Sequence, residues 1–163
     1  MKRLPISPPS LTPVSNTFTA STSGITVNEE FDNAVKKNVN VTNNSSYPVY
    51  VRATYVAYWV SDTDGSVLPE IAGVQGTING SKKWVLKDDG YYYYNEILAP
   101  NATTENLIDE IIAVPAVKPN GDTYDGYTYV VDVIAESVQA EPQQAVLDVW
   151  GFVPTTVSAD ITR

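Results

Sequence analysis

A chain of 163 residues with a net charge of −9, no cysteine and no histidine excludes several kinds of chemistry at once. No disulfide framework, no Ser-His-Asp or Cys-His site and no two-histidine zinc helix can be built from it. Its 19 acidic against 10 basic residues leave no basic stripe for phosphates, so nucleic acid is not an expected partner, and no apolar run is long enough to span a membrane.

The elements follow in chain order, set by a composition of 11 Tyr, 11 Pro and 9 Gly that favours strands and turns. Met1-Lys2-Arg3-Leu4-Pro5 is basic but lacks the apolar stretch of a signal peptide. Pro5, Pro8, Pro9 and Pro13 make residues 1–13 an extended arm without a core of its own. Val14 to Ala20 is a short β-type run, Ser21 to Gly24 a turn, and Ile25 to Glu30 alternates apolar with polar. Val35 to Val41 places Val35, Val39 and Val41 on one face. Asn43 to Ser46 is a loop.

Val49 to Val60 is the strongest strand signal. Val49, Val51, Ala53, Tyr55, Ala57 and Trp59 share one face, and bulk on the other marks a central strand. Asp62-Thr63-Asp64-Gly65 is a turn, followed by a looser Gly- and Pro-containing stretch. Lys83 to Leu86 is a short strand, Asp88-Asp89-Gly90 a hairpin turn, and Tyr91 to Tyr94 the returning strand. Glu105 to Glu110 reads as a helical turn capped by Thr104, and Ile111 to Val117 as a strand. Asn120-Gly121-Asp122 and Asp125-Gly126 are turns. Tyr127 to Val138 is a long strand with Tyr127, Tyr129, Val131, Val133 and Ala135 on one face. Gln143 to Trp150 reads as a short helix. The expected fold is all-β: an antiparallel, jelly-roll-like β-sandwich over residues 14–153 with one or two short helices, an arm at 1–13 and a polar tail at 154–163.

Little here points to catalysis. Asp62-Thr63-Asp64-Gly65 has the first ligands of a calcium loop and none of the rest, so it reads as a hairpin turn, as does Asp88-Asp89-Gly90. Glu29, Glu30 and Asp32 read as a solvated acidic loop. In a strand, alternate tyrosines of Tyr91 to Tyr94 face opposite sides, two toward the core and two outward, so packing explains them better than a sugar-stacking platform. Lys37, by parity, shares a face with Val35, Val39 and Val41. A core-facing lysine needs a partner or snorkels to the edge; a covalent amide with an Asn or Asp is the sharper alternative.

Several segments in order resemble the TasA/camelysin-type proteins exported through the SipW-type signal peptidase of Gram-positive bacteria. They are Asn16-Thr17-Phe18-Thr19, Ile25 to Glu30, Val35 to Asn43, and Tyr47 to Ala53 with Tyr50, Val51 and Arg52. Then come Trp84, Gly90 with Tyr91, Tyr92, Tyr93 and Tyr94, Leu98-Ala99-Pro100, Ala135 to Ala140 with Gln139, and the ending at Trp150. The match spans roughly residues 14–152. Asn43-Asn44 stands where the family has Thr-Gly, and the Pro-rich residues 1–13 stand where the family's signal peptide would end. The resemblance implies a jelly-roll-like sandwich and a role in biofilm-matrix fibres or surface filaments. The expectation is therefore a non-enzymatic structural subunit, extracellular or at the cell surface, without a cofactor. Its partner is its own kind, head to tail, or other matrix, surface or virion proteins. Assembly would run through Asn16, Thr17, Phe18 and Thr19 of the stretch Leu4 to Ala20, added as a strand to a neighbour's sheet. A virion decoration protein and a surface- or carbohydrate-binding module are the alternatives.

Overall fold

The structure, a computed structural model, describes residues 24–32, 35–71, 74–113 and 125–154. The arm, the Val14 to Ala20 run with Asn16, Thr17, Phe18 and Thr19, the Asn120-Gly121-Asp122 turn and residues 155–163 lie outside the described residues.

Among the described residues nine strands form two antiparallel sheets. They are β1 (Ile25–Asp32), β2 (Val35–Asn43), β3 (Val49–Ser61), β4 (Val67–Ile71), β5 (Val74–Ile78), β6 (Trp84–Leu86), β7 (Tyr92–Tyr94), β8 (Ile108–Ala113) and β9 (Tyr127–Gln139), followed by the helix α1 (Gln143–Trp150). One sheet runs β1-β2-β8-β5. The other runs β4-β3-β7-β6, with β9 on the opposite side of β3. This is the expected antiparallel sandwich, and its spine is β3 against β9, paired without a shift from Val49↔Gln139 to Ser61↔Tyr127.

The core lies between the sheets. Val39, Val41, Leu107, Ile108 and Ile111 of the first meet Val51, Ala53, Ala57, Trp59, Trp84, Tyr94, Tyr129, Val131, Val133 and Ala135 of the second. The alternation in β3 and β9 selects these residues, since period-2 side chains go to one face. Burying such side chains gives roughly 1.5–3 kcal/mol each, the main drive for folding. A smaller cluster forms on the outer face of the second sheet, where Val146 and Trp150 of α1, with Val153, cover Tyr50, Val138 and Ala140. α1 ends where Gly151 adopts φ 82° and its N–H returns to the Leu147 carbonyl, a left-handed cap that glycine takes without steric cost.

Three expectations need correction. The looser stretch after Gly65 contains β4 and β5; Pro69 and Gly76 hide them in the sequence, the proline tolerated because β4 is an edge and the glycine required because a Cβ there would meet the Glu110 carbonyl. No helical turn forms at Glu105 to Glu110. β8 begins at Ile108, whose ladder to Val39 and Ile78 and complete burial override local helical preference. Thr104, expected as a cap, instead ties this segment to β2: its N–H donates to the Val41 carbonyl at 2.9 Å, and its Oγ1 accepts from the Val41 N–H at 3.0 Å.

The third correction concerns the lysines. β2 is not regular. Asn28 pairs with Asn40 and Glu30 with Lys37, so two residues of β2, Asn38 and Val39, oppose one of β1. Asn38 takes a left-handed φ of 55°. A bulge of this kind shifts side-chain parity. Lys36, not Lys37, is consequently the buried lysine, 2% exposed, while Lys37 is only half-buried.

Candidate functional site

Arg52 organises the outer face of the second sheet. It stands on the central strand β3, opposite Tyr93 of β7 and Glu136 of β9, so its side chain meets both neighbours. Its Nε and Nη2 donate to Glu136 Oε1 at 3.0 and 2.7 Å, and its Nη1 donates to the Tyr93 hydroxyl at 2.8 Å. The guanidinium carbon lies 4.1 Å from the Tyr91 ring centre and 5.2 Å from that of Trp150. Burial alone would lower the Arg52 pKa, but the Tyr93 and Glu136 contacts outweigh it and hold the group above its ordinary value.

The tyrosines of the hairpin divide as expected. Tyr94 enters the core with Tyr92 packed against it. Tyr93 points outward yet is buried, because Trp150 and Phe152 close on its ring at 5.4 and 4.8 Å. Burial, with donation to Asp89 Oδ2 at 2.6 Å, pushes the Tyr93 hydroxyl up to about 12. Tyr91 donates to Glu136 Oε2 at 3.1 Å. Gly90, φ 86°, makes the turn that delivers the hairpin. Arg52, Gly90, Tyr91, Tyr93 and Trp150 thus meet in one place, as a clamp between sheet and helix. The other residues of the resemblance serve elsewhere. Tyr50 lies under α1 and Val51 in the core. Trp84 is buried, its Nε1 donating to the Glu105 carbonyl at 3.0 Å, and Gln139 sits exposed at the end of β9, donating to the Glu141 carbonyl.

Asp62-Thr63-Asp64-Gly65 is a turn. Gly65 N–H donates to the Ser61 carbonyl, and Asp64 Oδ1 accepts from the Ser66 N–H and hydroxyl. Those contacts, the Ser66 N–H first, hold the Asp64 carboxyl below its usual range. Among the described residues no three or more His, Cys, Asp or Glu side chains are grouped to hold a metal, and no helix is long and apolar enough to cross a membrane.

The strand borders differ in a way the sequence did not disclose. A border strand offers backbone donors and acceptors to any other chain, and natural sheets blunt it with prolines, bulges, brevity or inward charge. β4 carries Pro69, β6 has 3 residues, and β5 has 5 with a glycine at its centre. β1 faces a bulge and turns Glu29 inward onto Lys36. β9 has none of these devices. It runs 13 residues, YTYVVDVIAESVQ, without proline, glycine, lysine or arginine. Its two charges are committed to β3, Asp132 accepting from the Tyr58 hydroxyl at 2.5 Å and Glu136 from Arg52. Among the described residues β3 is the one strand paired with β9, and β1 of the other sheet lies against β9 at the same seam.

Near that seam lies the buried lysine. Lys36 Nζ is 2.6 Å from Glu29 Oε1, with side-chain exposures of 2% and 17%, and 4.7 Å from the Phe31 ring centre. Burial lowers the Lys36 pKa, partly offset by the Glu29 hydrogen bond and by the charges of Glu29 and Asp132. Sequence parity pointed one residue too far. The signal that could have corrected it is Asn38, a residue type that tolerates the left-handed conformation.

No family profile, curated protein or solved structure matches the chain.

Proposed function

We propose that this chain is a non-enzymatic structural subunit of an extracellular fibre or surface filament, in which the N-terminal stretch Leu4 to Ala20 of one copy is added as a strand to the border of the next. The observation that supports this reading is the strand β9, 13 residues without proline or glycine and paired among the described residues with β3 alone, in a sandwich whose other described borders are blunted. An added strand satisfies the border's ladder groups, and alternate side chains supply specificity. The donor has the right character. In sequence Val14 to Ala20 reads as a β-type run with Phe18 as an apolar anchor, and the prolines upstream would flank the added strand, where no ladder donor is needed. A contact of this head-to-tail kind does not close on itself and so propagates. The ordered resemblance to TasA/camelysin-type proteins supports the same assignment and an extracellular or cell-surface location.

The test is electron microscopy of the purified protein beside two variants. One lacks residues 1–20. The other carries Ile134→Lys, which places a charge at an exposed position of the border strand. Both are expected to stay monomeric with an unchanged far-ultraviolet circular dichroism spectrum. Filaments of unaltered length from either would overturn the reading.

A further inference from the structure

We propose that Lys36 and Glu29 are joined by a self-formed amide bond that rivets β1 to β2. The case begins with donor number. An ammonium group has three N–H donors, yet among the described residues Lys36 Nζ hydrogen-bonds to Glu29 alone, with the Phe31 ring face beside it. Removing two opposite charges from water costs several kcal/mol per ion unless further hydrogen bonds satisfy them. A single 2.6 Å contact at a lysine 2% exposed leaves the ammonium underserved. A secondary amide has one N–H and no charge, and the surroundings suit it better.

The reactants are in place. Desolvation favours the neutral, nucleophilic amine, and the carboxyl it would attack is the one it already touches. The proton passes from the ammonium to the Glu29 carboxylate, giving amine and carboxylic acid. The Nζ lone pair attacks Glu29 Cδ, and the N–C bond forms. The Cδ–O bond then breaks, and the hydroxyl leaves as water with a proton from nitrogen. The nitrogen proton passes directly to the departing hydroxyl, which lies on the carboxyl already in contact with Nζ. Carboxyl and amine become amide and one water, and no oxidant or activating group is needed. The bond would clamp the strand that directly follows the N-terminal stretch. It does not depend on the filament reading.

Intact-mass measurement of the denatured full chain tests it. The expected mass is one water below the sequence mass, counted with Met1 retained or removed. Tandem mass spectrometry is expected to find a branched peptide linking the segments around Glu29 and Lys36. Lys36→Arg and Glu29→Ala are expected to restore the full sequence mass, whereas Lys37→Arg keeps the deficit. A wild-type chain of full sequence mass overturns the proposal whether or not the variants fold, and so does a branch mapped to Lys37 or to Asp132.

Discussion

Replacing Arg52 with alanine is expected to cost about 3 kcal/mol without disturbing the core. The two N–H bonds to Glu136 Oε1 form a charge pair whose members are 19% and 35% exposed, so solvent screening limits the pair to about 1 kcal/mol. The 2.8 Å bond to the Tyr93 hydroxyl adds about 1 kcal/mol. Stacking on Tyr91 at 4.1 Å adds roughly 0.5–1 kcal/mol. At roughly 2–4 °C per kcal/mol for a domain of this size, the midpoint should fall by roughly 6–12 °C. Lys at this position keeps the charge but not the planar fork and should recover less than half of the loss. Urea denaturation followed by circular dichroism gives the number. A cycle with Glu136→Gln should be non-additive, because the two residues share one contact. An Arg52→Ala protein within about 0.5 kcal/mol of the parent would refute the view that this residue ties β3, β7, β9 and α1 together.

Two further outcomes follow from particular groups. Gly76 has φ 145°, and a Cβ there would lie 2.0 Å from the Glu110 carbonyl oxygen. Because backbone cannot yield as a side chain does, Gly76→Ala should detach β5 from β8 and cost roughly 2–4 kcal/mol in urea denaturation. Asp89 would be raised by burial, but the Tyr93 hydroxyl, the Tyr91 N–H and Arg52 outweigh that and hold its carboxyl below the ordinary value of 3.8. A depressed carboxylate pKa stabilises the fold above the unfolded pKa, and that stabilisation is lost as pH falls through the folded value. Denaturation midpoints measured below pH 4 should therefore fall less steeply in Asp89→Asn than in the parent; identical slopes would remove Asp89 from the clamp.

The sequence was most readable where packing is regular. β3 and β9 alternate for their whole length because the inward face of each meets one continuous core, and α1 follows the residues that reach Tyr50 and Val138. The strands that escaped notice are β4 with its proline and β5 with a glycine forced by the Glu110 carbonyl, both borders, and the start of β8, an inner strand between β2 and β5 whose residues would suit a helix. Their structure comes from partners distant in the chain, which a local pattern does not encode. The Arg52 clamp was half legible. Arg52, Gly90, the tyrosines and Trp150 were singled out through resemblance, and Asp89 and Glu136 lay within the same matched segments without a role, since nothing in their spacing shows that β9 and the hairpin turn converge on β3.

The lysine correction bears on both proposals at once. Had β2 been regular, Lys37 would have faced the core, and Lys36 would have stood outside as a solvated charge. One left-handed residue, Asn38, reverses that assignment, and the same bulge breaks the β1–β2 register. A bulge and an inward charge are devices by which a sheet discourages a further strand at its border; the β1 border has both, the bulge in its neighbour β2 and the charge in Glu29. The strand of the other sheet that lies against it, β9, carries neither. Among the described residues the seam therefore joins one blunted border, β1, to one without those devices, β9. Under the proposed strand addition an incoming chain would pair with β9 rather than β1, so the irregularity that buries Lys36 would also give the seam its direction.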